Sequence, residues 1–140
     1  MEVEIQYRGG TRFDATARGH RITSDQPQSN GGEDAGMTPP ELLLASLGTC
    51  AGYYAAQYLK TRSLPTEPLA VKVTAEKVMQ PARLGRFHLD VSAPALDPQY
   101  EAGLMRAVKS CLIHNTLLRS PEVEIALRAH ADAPVSGVLA

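Results

Sequence analysis

Cysteine is scarce in this sequence, with only Cys50 and Cys111 among 140 residues. Two thiols cannot build the disulfide framework that small secreted domains depend on, so they serve chemistry or packing. An excess of one charge is missing as well. Fourteen basic side chains stand against fifteen acidic ones, intermixed along the chain, which leaves no extended basic surface for nucleic acid and no acidic tail. The first residues, MEVEIQYRGG, are acidic where a secretory signal needs a basic stretch followed by an apolar one. The longest apolar run, Leu42 to Leu59, is interrupted by Ser46, Gly48, Thr49, Gly52 and Gln57 and falls short of a membrane span. Internal repeats and low-complexity tracts are also lacking. The expectation is one cytoplasmic domain over residues 1–140, binding neither nucleic acid nor membrane.

Alternation of period two marks most of what is present. Val3, Ile5 and Tyr7 alternate with polar residues, Gly9-Gly10 supplies a turn, and Phe13, Ala15 and Ala17 alternate again, which predicts a hairpin. A short strand around Arg21 to Ser24 follows, then the polar, glycine-rich loop DQPQSNGGEDAGM. The NGGEDAG part is no phosphate cradle, because it is acidic and lacks the lysine such loops use. Leu69, Val71, Val73 and Ala75 read as one strand and Phe87, Leu89 and Val91 as its hairpin partner, with a turn near Pro81 and Gly85. Residues 98–119 read as one helix or two, broken near Cys111, and Val123, Ile125, Leu127 and Ala129 as a last strand.

The segment PPELLLASLGTCAGYYAAQYLK, residues 39 to 60, reads as a long helix. Thr38 at the N-cap, Pro39 at the first helical position and Glu41 at N3 make a T-x-x-E capping box. From Leu42 onward, apolar and small residues surround the whole helix, so it must be covered on all sides. About six short strands in a single sheet cover one face; a second subunit, related by a two-fold axis with the helices inside, is expected on the other. The expected class is therefore α+β, in a homodimer.

Cys50 lies in the middle of that helix and Cys111 in the second helical region, followed by His114 at i+3. Free cysteine is commonly a buried small hydrophobe, so packing is one reading of both. Helix packing that brought their Cα atoms within roughly 4.4 to 6.8 Å would permit a disulfide instead. A single Cys-x-x-His lacks the four ligands of a structural zinc site, so no metal is expected, and helix capping or packing is the stronger reading of His114. His20, His88 and His130 fall at turns or outward strand positions. Tyr53 and Tyr54 either line a pocket beside Cys50 or belong to the core.

The stretch GGEDAGMTPPELLLASLGTCAGYYAAQYL, followed about sixty residues later by AVKSCLIHNTLLRS, resembles the OsmC/Ohr superfamily. The likeness extends to the order of strands and helices over almost the whole chain. It implies the OsmC-like fold, with antiparallel sheets wrapped around central helices in an intertwined homodimer. It also implies a thiol peroxidase without a cofactor, acting on small organic hydroperoxides and recycled by a thiol or dithiol reductant. Cys50 would be the attacking thiolate and Cys111 the thiol that resolves its sulfenic acid into a disulfide. An apolar pocket raises a thiol pKa and a cation must oppose it; by the resemblance that cation is an arginine of the N-terminal hairpin, which in RGGTR falls on Arg12, with Arg8, Arg18 and Arg21 as weaker stand-ins. Relatives hold this arginine with a glutamate at the helix start. Counting back from the cysteine, that position is Pro40, and Glu41, the candidate that remains, is one residue, or about 100° of helix rotation, away. Arg12 is therefore expected to lack a holder and to be less well ordered. A non-peroxidatic relative, binding a small apolar ligand or sensing redox state through its thiols, is the alternative.

Overall fold

The computed structural model of the chain describes residues 1–130 and 133–137. The elements follow in the order β1 (Glu4–Tyr7), β2 (Phe13–Ala17), β3 (His20–Ser24), α1 (Pro39–Lys60), β4 (Ala70–Met79), β5 (Ala82–Ser92), α2 (Glu101–Lys109), α3 (Leu112–Leu118), β6 (Ile125–His130) and β7 (Ala133–Gly137). This is the α+β class expected. The strands do not form the single sheet of about six anticipated from periodicity. Among the described residues there are seven, in three separate antiparallel sheets, β1-β2-β3, β4-β5 and β6-β7. Period-two patterning reports which residues share a face and says nothing of which strands pair.

Local chemistry accounts for the boundaries. Gly9 and Gly10, at φ 98° and 58°, turn β1 into β2 in a conformation that other residues resist. The β4–β5 hairpin turns at Gln80-Pro81, between the paired Met79 and Ala82. Gly85, expected in that turn, lies instead within β5 as the extra residue of a bulge, since Glu76 pairs with Arg86 and Lys77 with Leu84. The second helical region breaks where it was expected to, with α2 ending at Lys109 and α3 beginning after Cys111. At the start of α1 the Glu41 carboxylate accepts the Thr38 backbone N–H at 2.7 Å and the Thr38 hydroxyl at 2.8 Å.

The core forms along one face of α1. Leu47, Ala51, Ala55 and Leu59, spaced every four residues, are buried, and the last three cluster with Leu104 and Val108 of α2. Each fully buried leucine contributes about 1.5–3 kcal/mol of transfer free energy. Gly103 permits the close approach of the two helices: a Cβ there would run into the Tyr58 phenol, whose hydroxyl donates to the Tyr100 carbonyl at 3.2 Å. β4 packs against α1 beside this core.

Much apolar surface stays uncovered. Ile5, Tyr7, Phe13 and Ile22 are all exposed on one face of the β1–β3 sheet, where Ile5, Ala15 and Ile22 line up across the strands and the Tyr7 and Phe13 rings lie 5.3 Å apart. Among the described residues this sheet has no substantial packing against any helix or other strand. On α1 itself Leu43 and Tyr53 are exposed, as are Ile125 and Leu127 of β6. No helix among the described residues is long and apolar enough to cross a membrane.

Candidate active site

Cys50 sits on α1 at the border between its buried and its exposed faces. Ala51 next to it is fully buried, Tyr53 one turn on is exposed, and Cys50 itself is partly accessible. Cys111 occupies the N-cap of α3, fully buried, where its sulfur accepts the His114 backbone N–H at 3.4 Å. The packing of α1 against α2 and α3 brings the two thiols near enough for Cys50 to act on the Cys111 pKa. Neither is in a disulfide.

Burial pushes the Cys111 thiol pKa up, and the neighbouring Cys50 pushes it the same way; the N–H groups of His114 and Ile113 offset this in part. Cys111 is accordingly a protonated thiol near neutral pH. A protonated thiol is a poor nucleophile but a hydrogen-bond donor to a neighbouring sulfur. The two cysteines are thus unlike: one partly accessible on a long helix, the other buried and held in the S–H form. His114 contributes to the cap through its backbone, and its buried imidazole Nδ1 has no hydrogen-bond partner.

The remaining candidates lie elsewhere within the chain. Glu41 is committed to Thr38 at the helix start, and those two hydrogen bonds, from the backbone and from the hydroxyl, lower its carboxyl pKa. Arg12 lies on the β1–β2 turn, where its guanidinium faces the Glu33 carboxylate at 3.5 Å. A carboxylate outside the start of α1 thus lies within reach of Arg12, where the proline at position 40 supplies none. No hydrogen bond links Arg12 to Cys50 within the chain among the described residues. Arg8 pairs with Asp14 at 2.8 Å, and Arg21 approaches the same carboxylate at 3.8 Å. Tyr53 and Tyr54 pack edge to face, 5.5 Å between ring centroids, one turn along α1 from Cys50. His20 and His88 are exposed, while the side chain of His130 lies outside the described residues. Among the described residues no group of three or more His, Cys, Asp or Glu side chains is arranged to hold a metal ion.

Asp25 and Glu33 did not stand out in the sequence. Asp25 is 2% exposed at the start of the glycine-rich loop. Its carboxylate accepts the Thr11 hydroxyl at 2.6 Å and the backbone N–H groups of Gln26, Glu33 and Ala35 at 2.8, 3.0 and 3.1 Å. The Thr11 hydroxyl, followed by the Ala35 N–H, dominates in holding its pKa down at about 2. An aspartate opening a glycine-rich loop directly after a strand is the local signal for such a turn-organising carboxylate.

Comparison with known proteins bears on the fold and the family. A family model described as OsmC-like protein matches residues 31–126. No curated protein matches the sequence significantly. Among solved structures, a proposed osmotic stress induced and detoxification response protein from Psychrobacter arcticus superposes with a TM-score of 0.74 at 20% identity, over 81% of this chain and 85% of that one. An OsmC-like protein from Mycoplasma pneumoniae gives 0.68 at 20% identity, over 85% and 87%. The organic hydroperoxide resistance protein OhrB of Bacillus subtilis gives 0.59 at 19% identity, over 86% and 93%. At these identities the superpositions show a shared fold. The family model spans well over half of the chain, including α1 with Cys50 and α3 with its Cys111 cap, and the chain belongs to the OsmC-like protein family.

Proposed function

We propose that this protein is a cysteine-based peroxidase that reduces organic hydroperoxides. The Cys50 thiolate attacks the terminal oxygen of ROOH. The O–O bond breaks, a proton reaches the leaving alkoxide to give ROH, and Cys50 becomes a sulfenic acid. The Cys111 sulfur then displaces hydroxide from that sulfenic acid as water, taking up the thiol proton, and a Cys50–Cys111 disulfide forms. A dithiol or two thiols return the pair to the reduced state.

The nearness of Cys50 to the buried Cys111, enough to push the Cys111 pKa up, carries this reading. It supports a resolving sulfur close to the attacking one before reaction, and the raised pKa of Cys111 agrees with that thiol being the poorer nucleophile of the two. The name of the Bacillus subtilis neighbour, a hydroperoxide resistance protein, agrees with it. Arg12 supplies the positive charge that favours the thiolate. In this reading Arg12 meets Cys50 across a homodimer, which also covers the apolar faces left open in one chain; the β1–β3 sheet, which stands apart from α1 of its own chain, supports it.

One observation favours a second reading, binding of a small apolar ligand with the thiols as a redox sensor. A groove of about 490 Å³ between α1 and β4, lined by Leu44, Gly48, Gly52, Leu69 and Val71, includes neither cysteine. Thiol titration before and after one equivalent of an alkyl hydroperoxide separates the two. The peroxidase loses both thiols at once and Cys50→Ser consumes no hydroperoxide, while Cys111→Ser turns over once and leaves a trappable sulfenic acid. Equal consumption by the parent and Cys50→Ser rejects the peroxidase.

A further inference from the structure

The two segments that carry Arg12 and Glu33 are tied to one buried carboxylate. Asp25 binds the Thr11 hydroxyl, one residue before Arg12, and the backbone N–H of Glu33 itself. The Arg12 backbone is fixed as well, its N–H donating to Gly9 and its carbonyl accepting from Arg8. Between these anchored backbones the guanidinium and the Glu33 carboxylate meet at 3.5 Å. Arg12 and Glu33 line one concavity of about 320 Å³ together with Asp25 and the glycines of both loops.

An exposed ion pair of this kind adds little to fold stability. Its effect is directional, since it selects one orientation of a long, rotamer-rich side chain whose charge must be presented outward. With a proline at position 40 and Glu41 turned to the helix cap, no carboxylate at the start of α1 is free for that task.

We propose that Asp25 and Glu33 are positioning residues of the site: Asp25 pins the Arg12 turn to the glycine-rich loop, and Glu33 aims the Arg12 guanidinium. The proposal rests on the reading that Arg12 serves Cys50, and its test does not require turnover of a hydroperoxide.

The test is the rate at which iodoacetamide alkylates Cys50 at neutral pH in the full-length protein, read by peptide mass spectrometry. Arg12→Ala should slow alkylation about tenfold, the effect of losing one nearby opposite charge. The sign for Glu33→Ala discriminates. Removing a negative charge near the site would by itself favour the thiolate and speed alkylation, whereas a guanidinium released from its holder slows it. The expected result is slowing in Glu33→Ala with unchanged thermal stability, and partial recovery in Glu33→Gln, which keeps an acceptor for the guanidinium. Asp25→Asn should slow alkylation too; if it does not fold, Thr11→Val, which removes one of the four hydrogen bonds, takes its place. Unchanged or faster alkylation in Glu33→Ala, with Arg12→Ala slow, overturns the proposal and leaves the peroxidase reading standing. An Arg12→Ala protein as fast as the parent overturns the proposal by removing Arg12 from the site. The peroxidase reading itself falls to a different result, namely a parent that keeps both thiols after hydroperoxide or a Cys50→Ser protein that consumes it equally.

Discussion

The Cys50 thiol on α1 lies near the Cys111 thiol at the N-cap of α3, close enough to push the Cys111 pKa up, and Cys111 is fully buried while Cys50 is not. This proximity depends on the close packing of three helices. Changes that loosen this packing separate the thiols.

Gly103 offers the sharpest such change. Gly103→Ala would drive a methyl group into the Tyr58 phenol, and overpacking of this kind costs about 1–3 kcal/mol. Urea unfolding should show a lower midpoint with an unchanged slope, and a midpoint equal to the parent's would mean that the helices separate at no cost.

Ile5, in line with Ala15 and Ile22 on the uncovered sheet face, tests assembly. Sedimentation of the parent at micromolar concentration is expected to give a dimer. Ile5→Asp should shift it toward monomer, because a charge on a face that the proposed dimer buries is costly to desolvate. A folded, monomeric parent would contradict the assembly.

Asp25 sets an acid limit. Its folded pKa of about 2 lies below the unfolded aspartate value of about 3.9. The depressed value means that its stabilisation is complete above about pH 4 and fades as pH falls toward about 2. Thermal melts of the parent and Asp25→Asn should therefore differ most above pH 4 and converge on acidification. A gap that stays constant down to pH 2 would contradict the hydrogen-bonded carboxylate.

Thr38 and Glu41 hold the start of α1. Thr38→Ala should cost about 1 kcal/mol, the usual worth of such a cap. Glu41→Gln, whose amide oxygen still accepts, should cost less. The Glu41 contribution is likewise present above the ordinary carboxylate range and lost as pH falls through its lowered folded value. Equal stability of the parent and Thr38→Ala at pH 7 would remove the cap as a determinant of this helix.

The sequence by itself determined the local elements. The bounds of α1 follow from the Thr38-Pro39-Glu41 start, and the first hairpin from alternation around Gly9-Gly10; the break before α3 falls at Cys111 as read. These are short-range matters in which capping, turn chemistry and periodicity act within a few residues. Cys50 and Cys111 stood out because thiols are rare in the chain and carry the family's motifs. What only the tertiary structure decided are the meetings between segments far apart in sequence: the nearness of the two thiols, the division of the described strands into three sheets, the bulge at Gly85, and the ion pair of Arg12 with Glu33. Asp25 belongs with these in part: its place at the head of the loop is a local signal, but the closing of Thr11 and three backbone N–H groups around it is a matter of tertiary structure. Hydrogen bonds and packing depend on distances in space. A sequence pattern fixes which face a side chain takes within its own element, and leaves open what that face will meet.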